Sequence, residues 1–166
     1  MMANDTARLA LPLLQAGQAQ KEMTHNEALT QIDMLVHPLV ESAGVEMPPA
    51  SPARGQSWIV GAAPTGAWTG QAHAIAGWTD GGWRFVAPVE GMAAQVRDRG
   101  HPMTFDGSIW TDAAVRADGY YQGGVRIIGG RGAAISEPFG GAIIDAECRA
   151  TVGALLATMR AHGLIA

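Results

Sequence analysis

Ile75-Ala-Gly-Trp-Thr-Asp-Gly-Gly-Trp-Arg-Phe-Val86 is the stretch whose pattern sets the fold class. Two short runs of apolar and aromatic residues, 75–78 and 83–86, flank Thr79-Asp-Gly-Gly82. Asp-Gly tolerates the positive φ that tight antiparallel turns demand, so the spacing predicts a β-hairpin. The same pattern recurs downstream, where 103–105 and 108–110 flank Asp106-Gly107. Between the two hairpins, residues 92–98 hold a strand centred on Gln95-Val-Arg97, and 57–60 is a further short β-type run. Residues 56–110 therefore read as an antiparallel sheet or a small barrel.

Helical signals stand on both sides of this region. Thr24 and Glu27 have capping-box spacing. Ala28, Leu29, Ile32, Leu35 and Val36 then follow at helical intervals until Pro38, with 17–23 as an earlier turn of helix. Two homes are open to this helix: its own β domain, or sister chains and an anchoring protein. At the other end, Gly123-Gly-Val-Arg-Ile-Ile-Gly-Gly-Arg-Gly132 continues as strands, and Pro138-Phe-Gly-Gly141 makes a turn. Asp145 caps a last helix whose apolar stripe is Cys148, Val152, Leu155, Leu156 and Met159. Gly163 ends it, with Leu164 placed for the accompanying hydrophobic contact. Met47-Pro-Pro-Ala-Ser-Pro-Ala-Arg-Gly55 can neither continue a helix nor sit centrally in a sheet. The expected organisation is an N-terminal anchoring segment with a helix (1–47), a Trp- and Gly-rich β domain (48–119), and strands with a C-terminal helix (120–166). The class is α+β: a small antiparallel β-sheet or barrel-like domain flanked by an N-terminal and a C-terminal helix.

Composition narrows the function. The 166 residues are long enough for one domain with a real core. Charged residues make up 16%, against about 25% in typical globular proteins. With 22 glycines, that suits a surface partly covered by copies of the chain or by partners. A net charge of −4 without a basic cluster speaks against nucleic-acid binding, which needs several phosphate contacts from one face. A single cysteine, Cys148, leaves no internal disulfide and reads as a small buried hydrophobe. The apolar run 9–14 is short and broken by Pro12, and no run approaches the ~18 apolar residues of a membrane span. The expected location is therefore the cytoplasm, with departure only as part of a particle.

No enzyme signature emerges. Gly129-Gly-Arg-Gly132 lacks the Lys-Ser/Thr ending of a phosphate loop and reads as turn glycines. His25, His37, His73, His101 and His162 are scattered, with no helical pair that suggests a metal site, and no nucleophile elbow occurs. Carboxylates Asp80, Glu90, Asp98 and Asp106 fall in the β region and are accounted for by turns and surface faces. No catalytic residue, metal or cofactor is expected. The five tryptophans, Trp58, Trp68, Trp78, Trp83 and Trp110, all lie in the β region. Large rings fill thin β cores, but a ring at a rim also stacks on the apolar face of a sugar. Both readings stand, and the glycan reading singles out Trp78, Trp83, Trp68 and Asp80.

The N-terminal block carries a more specific signal. It runs through Leu11-Pro-Leu-Leu14, Ala16-Gly-Gln-Ala-Gln-Lys-Glu22 and Thr24-His-Asn-Glu-Ala-Leu29. Further matching pieces are Pro52-Ala-Arg-Gly55, Trp58-Ile-Val-Gly61, Thr65-Gly-Ala-Trp68, Gly82-Trp-Arg-Phe85, Pro88-Val-Glu-Gly91 and Phe105-Asp-Gly-Ser-Ile-Trp110. In the tail they are Gly140-Gly141, Asp145-Ala-Glu-Cys-Arg149 and Arg160-Ala-His-Gly-Leu164. Together they resemble a family of phage-derived structural proteins found in tail fibres and in the fibre or head-spike proteins of gene transfer agents. The resemblance spans nearly the whole sequence and implies a virion-type structural role without catalytic residues. Many members continue into long fibre regions, whereas this sequence stops after one module, which favours a short spike or a base that seats a fibre.

On that resemblance, Gln18, Gln20, Lys21, His25, Asn26 and Glu27 are the expected docking residues toward a capsid, tail or fibre protein. A homo-oligomer is expected, with a trimer or a pentamer as the candidate states. Host cell-surface polysaccharide is the expected ligand if the tryptophans are exposed.

Overall fold

The computed structural model describes residues 5–14, 21–140 and 145–166, and for Lys21 only the backbone. In chain order the elements are α1 (Lys21–Leu35), β1 (Leu39–Val40), β2 (Ala43–Val45), β3 (Ser57–Val60), a 3-10 turn (Gly66–Trp68), β4 (Ile75–Thr79) and β5 (Gly82–Val86). They continue with β6 (Ala93–Val96), β7 (His101–Phe105), β8 (Trp110–Asp112), β9 (Val115–Arg116), β10 (Gly119–Gln122), β11 (Val125–Ile128) and α2 (Ala146–Ala161). The fold is α+β, two helices flanking mostly antiparallel sheets. The chain forms two compact units, residues 1–117 and 118–166.

The first unit packs two four-stranded sheets, ordered β2-β3-β4-β5 and β1-β6-β7-β8. Both predicted hairpins are present. In the first, Thr79 pairs with Gly82 across Asp80-Gly81. The positive φ falls on Gly82 (95°), not on the Asp-Gly pair, which makes that glycine the residue that lets the strands close. In the second, Phe105 pairs with Trp110 around a four-residue loop. Asp106 there accepts hydrogen bonds from the Ile109 N–H (2.9 Å) and the Ser108 N–H (2.8 Å), which hold its carboxyl below the ordinary value. Three short strands lay outside the sequence reading: β9, β1, which pairs parallel with β6, and β2, which pairs parallel with β3. Two- and three-residue strands bear no periodicity to read, and parallel partners lie far away in sequence.

Side chains alternate across the sheets and make two cores. Ile59 and Ile75 meet Val40, Ala94, Val96, Met103, Phe105 and Trp110 between the sheets, with Met34 of α1 closing the end. The opposite face of β3 and β4 carries Trp58, Val60 and Ala76, which gather with the fully buried Trp68 under half-buried Trp78, Trp83 and Phe85. The proline-rich stretch 47–55 is a loop between β2 and β3 inside this unit.

α1 differs from its sequence reading in two ways. It is helical from Lys21, the first described residue after 14, so Thr24 lies inside the helix and does not cap it, and the Glu27 carboxylate pairs with Arg84 at 2.9 Å; residues 17–20 of the expected earlier turn lie outside the described residues. The inward face is also rotated: Asp33 and Met34 are buried, whereas Ala28, Ile32 and Val36 are exposed. Gly77 makes room for Met34, since a Cβ there would come within 2.8 Å of the Met34 methyl carbon.

In the second unit, β10 and β11 form an antiparallel hairpin, and Gly132 bridges to Ile165. α2 has the expected ends. The Asp145 carboxylate accepts from the Cys148 N–H at 2.8 Å. At the far end Gly163 takes φ 68°, and the N–H groups of Gly163 and Leu164 donate to the carbonyls of Arg160 and Met159 (both 2.9 Å), a Schellman cap. The apolar stripe, however, is not covered. Only Leu156 of it is buried, and Cys148 is exposed, contrary to the expected buried thiol.

Candidate functional site: a cleft between the N-terminal segment, α1 and the sheet

A cavity of about 380 Å³ opens in the first unit where residues 5–14, α1 and the β3-β4-β5 face converge. Its lining includes Asp5, Arg8, Asn26, Glu27, Arg54, Asp80 and Arg84, together with Met34, Gly77 and Trp78.

Asp33 organises one wall. Its Oδ1 accepts from the Thr6 hydroxyl (2.9 Å) and the Leu9 N–H (2.5 Å), and its Oδ2 accepts from the Arg8 N–H (2.9 Å). The Arg8 guanidinium returns across the helix C-terminus, donating to the carbonyls of Asp33 (2.7 Å), Met34 (3.2 Å) and His37 (2.6 Å). A cation on the last carbonyls of a helix is favourable, because those groups lack intrahelical donors and carry the negative end of the dipole. Asn26 clips the segment further along: its amide donates to the Leu14 carbonyl and accepts from the Leu14 N–H, both at 2.9 Å.

Arg54, carried by the proline-rich loop, joins the other side. It pairs with Asp80 at the hairpin tip (3.0 Å) and with Asp5 (3.3 Å), and it also donates to the Asp5 carbonyl. Arg84 reaches Glu27 from β5. Asp5, Glu27, Asp33 and Asp80 face Arg8, Arg54 and Arg84 in this lining, so most of its charge is compensated and the cleft presents oriented donors and acceptors.

Among the sequence-selected residues, Asn26, Glu27, Trp78 and Asp80 line this one cleft. His25 is exposed on α1 outside it. Gln18 and Gln20 lie outside the described residues, as does the side chain of Lys21. The Trp78 and Trp83 rings form a cross-strand pair, 5.0 Å between centroids, on the sheet face opposite Gly77 and α1. Trp68 is fully buried, 5.1 Å from Trp83 and 6.3 Å from Trp58, and so offers no ring face to a sugar. Its place is the core, because a thin sheet face needs a large ring to exclude water.

Sequence reading missed Thr6, Arg8, Asp33, Arg54 and Arg84. One signal was present: Asp33 is a lone carboxylate in the apolar run Ile32-Asp-Met-Leu-Val36, and such a group requires partners when buried. Among the described residues no cluster of histidine, cysteine and carboxylate groups could hold a metal ion, and no helix is long and apolar enough to cross a membrane.

These features define the first unit as an α+β module of two packed sheets with a polar N-terminal clip. Residues 25–111 match the family described as a protein of unknown function, DUF2793, and the chain belongs to that family. The match runs from within α1 to β8, inside the first unit. No curated protein matches the chain.

Proposed function

We propose that this protein is a structural subunit of a phage-like particle, which attaches to a capsid, tail or fibre protein and supports recognition of the host surface. One observation carries the assembly part of this reading: the second unit is not self-sufficient. Among its described apolar side chains only Leu156 and Ile165 are buried, whereas Phe139 is 88% exposed, Val125 63%, Leu155 60% and Ile127 57%. Fixing a backbone costs about 1–2 kcal/mol per residue, and a fully buried aliphatic side chain returns about 1.5–3 kcal/mol. Two such side chains, among the described residues, return far less than this ordering costs, which supports a unit completed by neighbouring chains. α1 adds a second uncovered stripe, with Ile32 and Val36 exposed beside half-buried Leu29. The particle itself enters from the resemblance of the N-terminal block. Sedimentation of the full chain, with mass spectrometry of phage-like particles from the producing cells, tests the reading. Concentration-dependent association and presence in particles are expected; a monomer absent from particles overturns it.

A second reading assigns glycan binding to the first unit, favoured by the half-exposed Trp78–Trp83 pair and the charge-compensated cleft on the other face of the same strands. Saturable binding of host capsular polysaccharide with a shift in Trp emission is expected. Trp78→Ala and Trp83→Ala should each lose it while keeping the fold; undiminished binding in both folded variants removes the stacking role.

A further inference from the structure

We propose that the free edge of β11 is where two copies of this chain meet, Val125–Ile128 of one pairing antiparallel with the same strand of the other. The inference rests on the assembly reading above and names its contact.

Three observations carry it. Among the described residues β11 pairs with β10 along one edge, and no strand pairs with its other edge. All four of its residues are exposed, and three of them, Val125, Ile127 and Ile128, are β-branched and apolar. Proteins that keep an edge unpaired usually blunt it with charge, proline or a bulge. The one charge here, Arg126, is turned to Asp118 at 3.8 Å.

The second copy, and not a charged partner, follows from where the charge lies. Residues 118–166 hold Arg126, Arg131, Arg149 and Arg160 against Asp118, Glu137, Asp145 and Glu147, a net charge of zero. The whole net charge of −4 therefore sits in residues 1–117. Two copies meeting through their first units would face like charge, whereas at their β11 edges the one charge, Arg126, is offset by Asp118 of its own copy. A basic partner would be drawn to the first unit. Antiparallel self-pairing also needs no second surface: a two-fold axis brings the same strand to itself and closes the contact. Tyr120, on β10 of the same hairpin, is exposed as well and adds apolar surface to it.

The test compares the full-length chain with Ile127→Lys and Val125→Lys, each adding charge to the edge at an exposed position. Leu155→Lys on α2 serves as the contrast. Sedimentation reads association, far-UV circular dichroism reads folding, and hydrogen exchange reads the amides of 125–128. Self-association of the unaltered chain is expected, with concentration-dependent protection of the 125–128 amides. Either edge variant should weaken association at least about 100-fold while keeping its helical signal. Folded edge variants that associate as tightly as the unaltered chain overturn the pairing and leave the assembly reading standing. So does dissociation by Leu155→Lys alone, which places the contact on α2. A chain that stays monomeric overturns the pairing too, and recovery in particles then decides the assembly reading separately.

Discussion

Asp33 and Arg8 grip each other twice: the Asp33 carboxylate accepts the Arg8 backbone N–H at 2.9 Å, while the Arg8 guanidinium donates to the Asp33 carbonyl at 2.7 Å. This reciprocal pair ties residues 5–14 to the end of α1 and forms one wall of the cleft. Because Asp33 is buried, its loss leaves three donors without an acceptor. Asp33→Ala should destabilise the first unit by about 3 kcal/mol, within the range for orphaned buried groups and charge-assisted bonds. Chemical denaturation followed by Trp emission measures it, and proteolytic cleavage after Arg8 should accelerate in parallel. An unchanged midpoint and cleavage rate would show that the clip contributes nothing.

Asp112 sits among cations at the β7–β8 end of the first unit. Partial burial raises its pKa, but hydrogen bonds from His101 (2.9 Å) and Arg99 (2.8 Å), with the charges of Arg99 and Arg116, outweigh burial and leave it lowered. A carboxylate with a depressed folded pKa stabilises above its unfolded value and loses that contribution as pH falls through the folded one. The unaltered chain should therefore exceed Asp112→Asn in stability by a constant margin above pH 3.8, the ordinary value, and the margin should close below it. Thermal unfolding of both between pH 2.5 and 6, as roughly bracketing that window, checks the sign. A margin that widens on acidification contradicts it.

Trp68 packs completely, yet among the described residues its indole N–H has no partner. Trp68→Phe should therefore cost only the lost ring volume, about 1–2 kcal/mol, whereas Trp68→Ala should cost about 3–5 kcal/mol. If Trp68→Phe proves as damaging as Trp68→Ala, the N–H has a partner, and an internal water is the first candidate.

Gly119 takes φ 153°, and a Cβ there would collide with the backbone carbonyl of Ile128. Gly119→Ala should open the β10–β11 hairpin and leave the first unit intact. All five tryptophans lie in the first unit, so their emission should stay native while hydrogen-exchange protection of 119–128 is lost. Retained protection would show that the hairpin tolerates a side chain at this position.

The α+β class, both hairpins and both ends of α2 were legible because each rests on local chemistry: Asp-Gly between apolar runs, Asp145 three residues before the N–H it caps, and Gly163 where a helix must turn left-handed. The gathering of Asn26, Glu27, Trp78 and Asp80 in one cleft was not legible. Asp80 and Glu27 are drawn in by Arg54 and Arg84, whose partners lie about 25–60 residues away, and no spacing rule reaches so far. The inward face of α1 was misread for the same reason. Counting apolar residues selects Ile32 and Val36, but the N-terminal segment docks on Asp33 and turns a polar residue inward.

The sequence by itself determined the local elements, since φ preference, capping and alternation act within a few residues. Only the tertiary structure decided which tryptophans are core, which face of α1 is buried and that Cys148 and the α2 stripe stand open. Burial is a property of what lies opposite in space, and neighbours along the chain do not specify it.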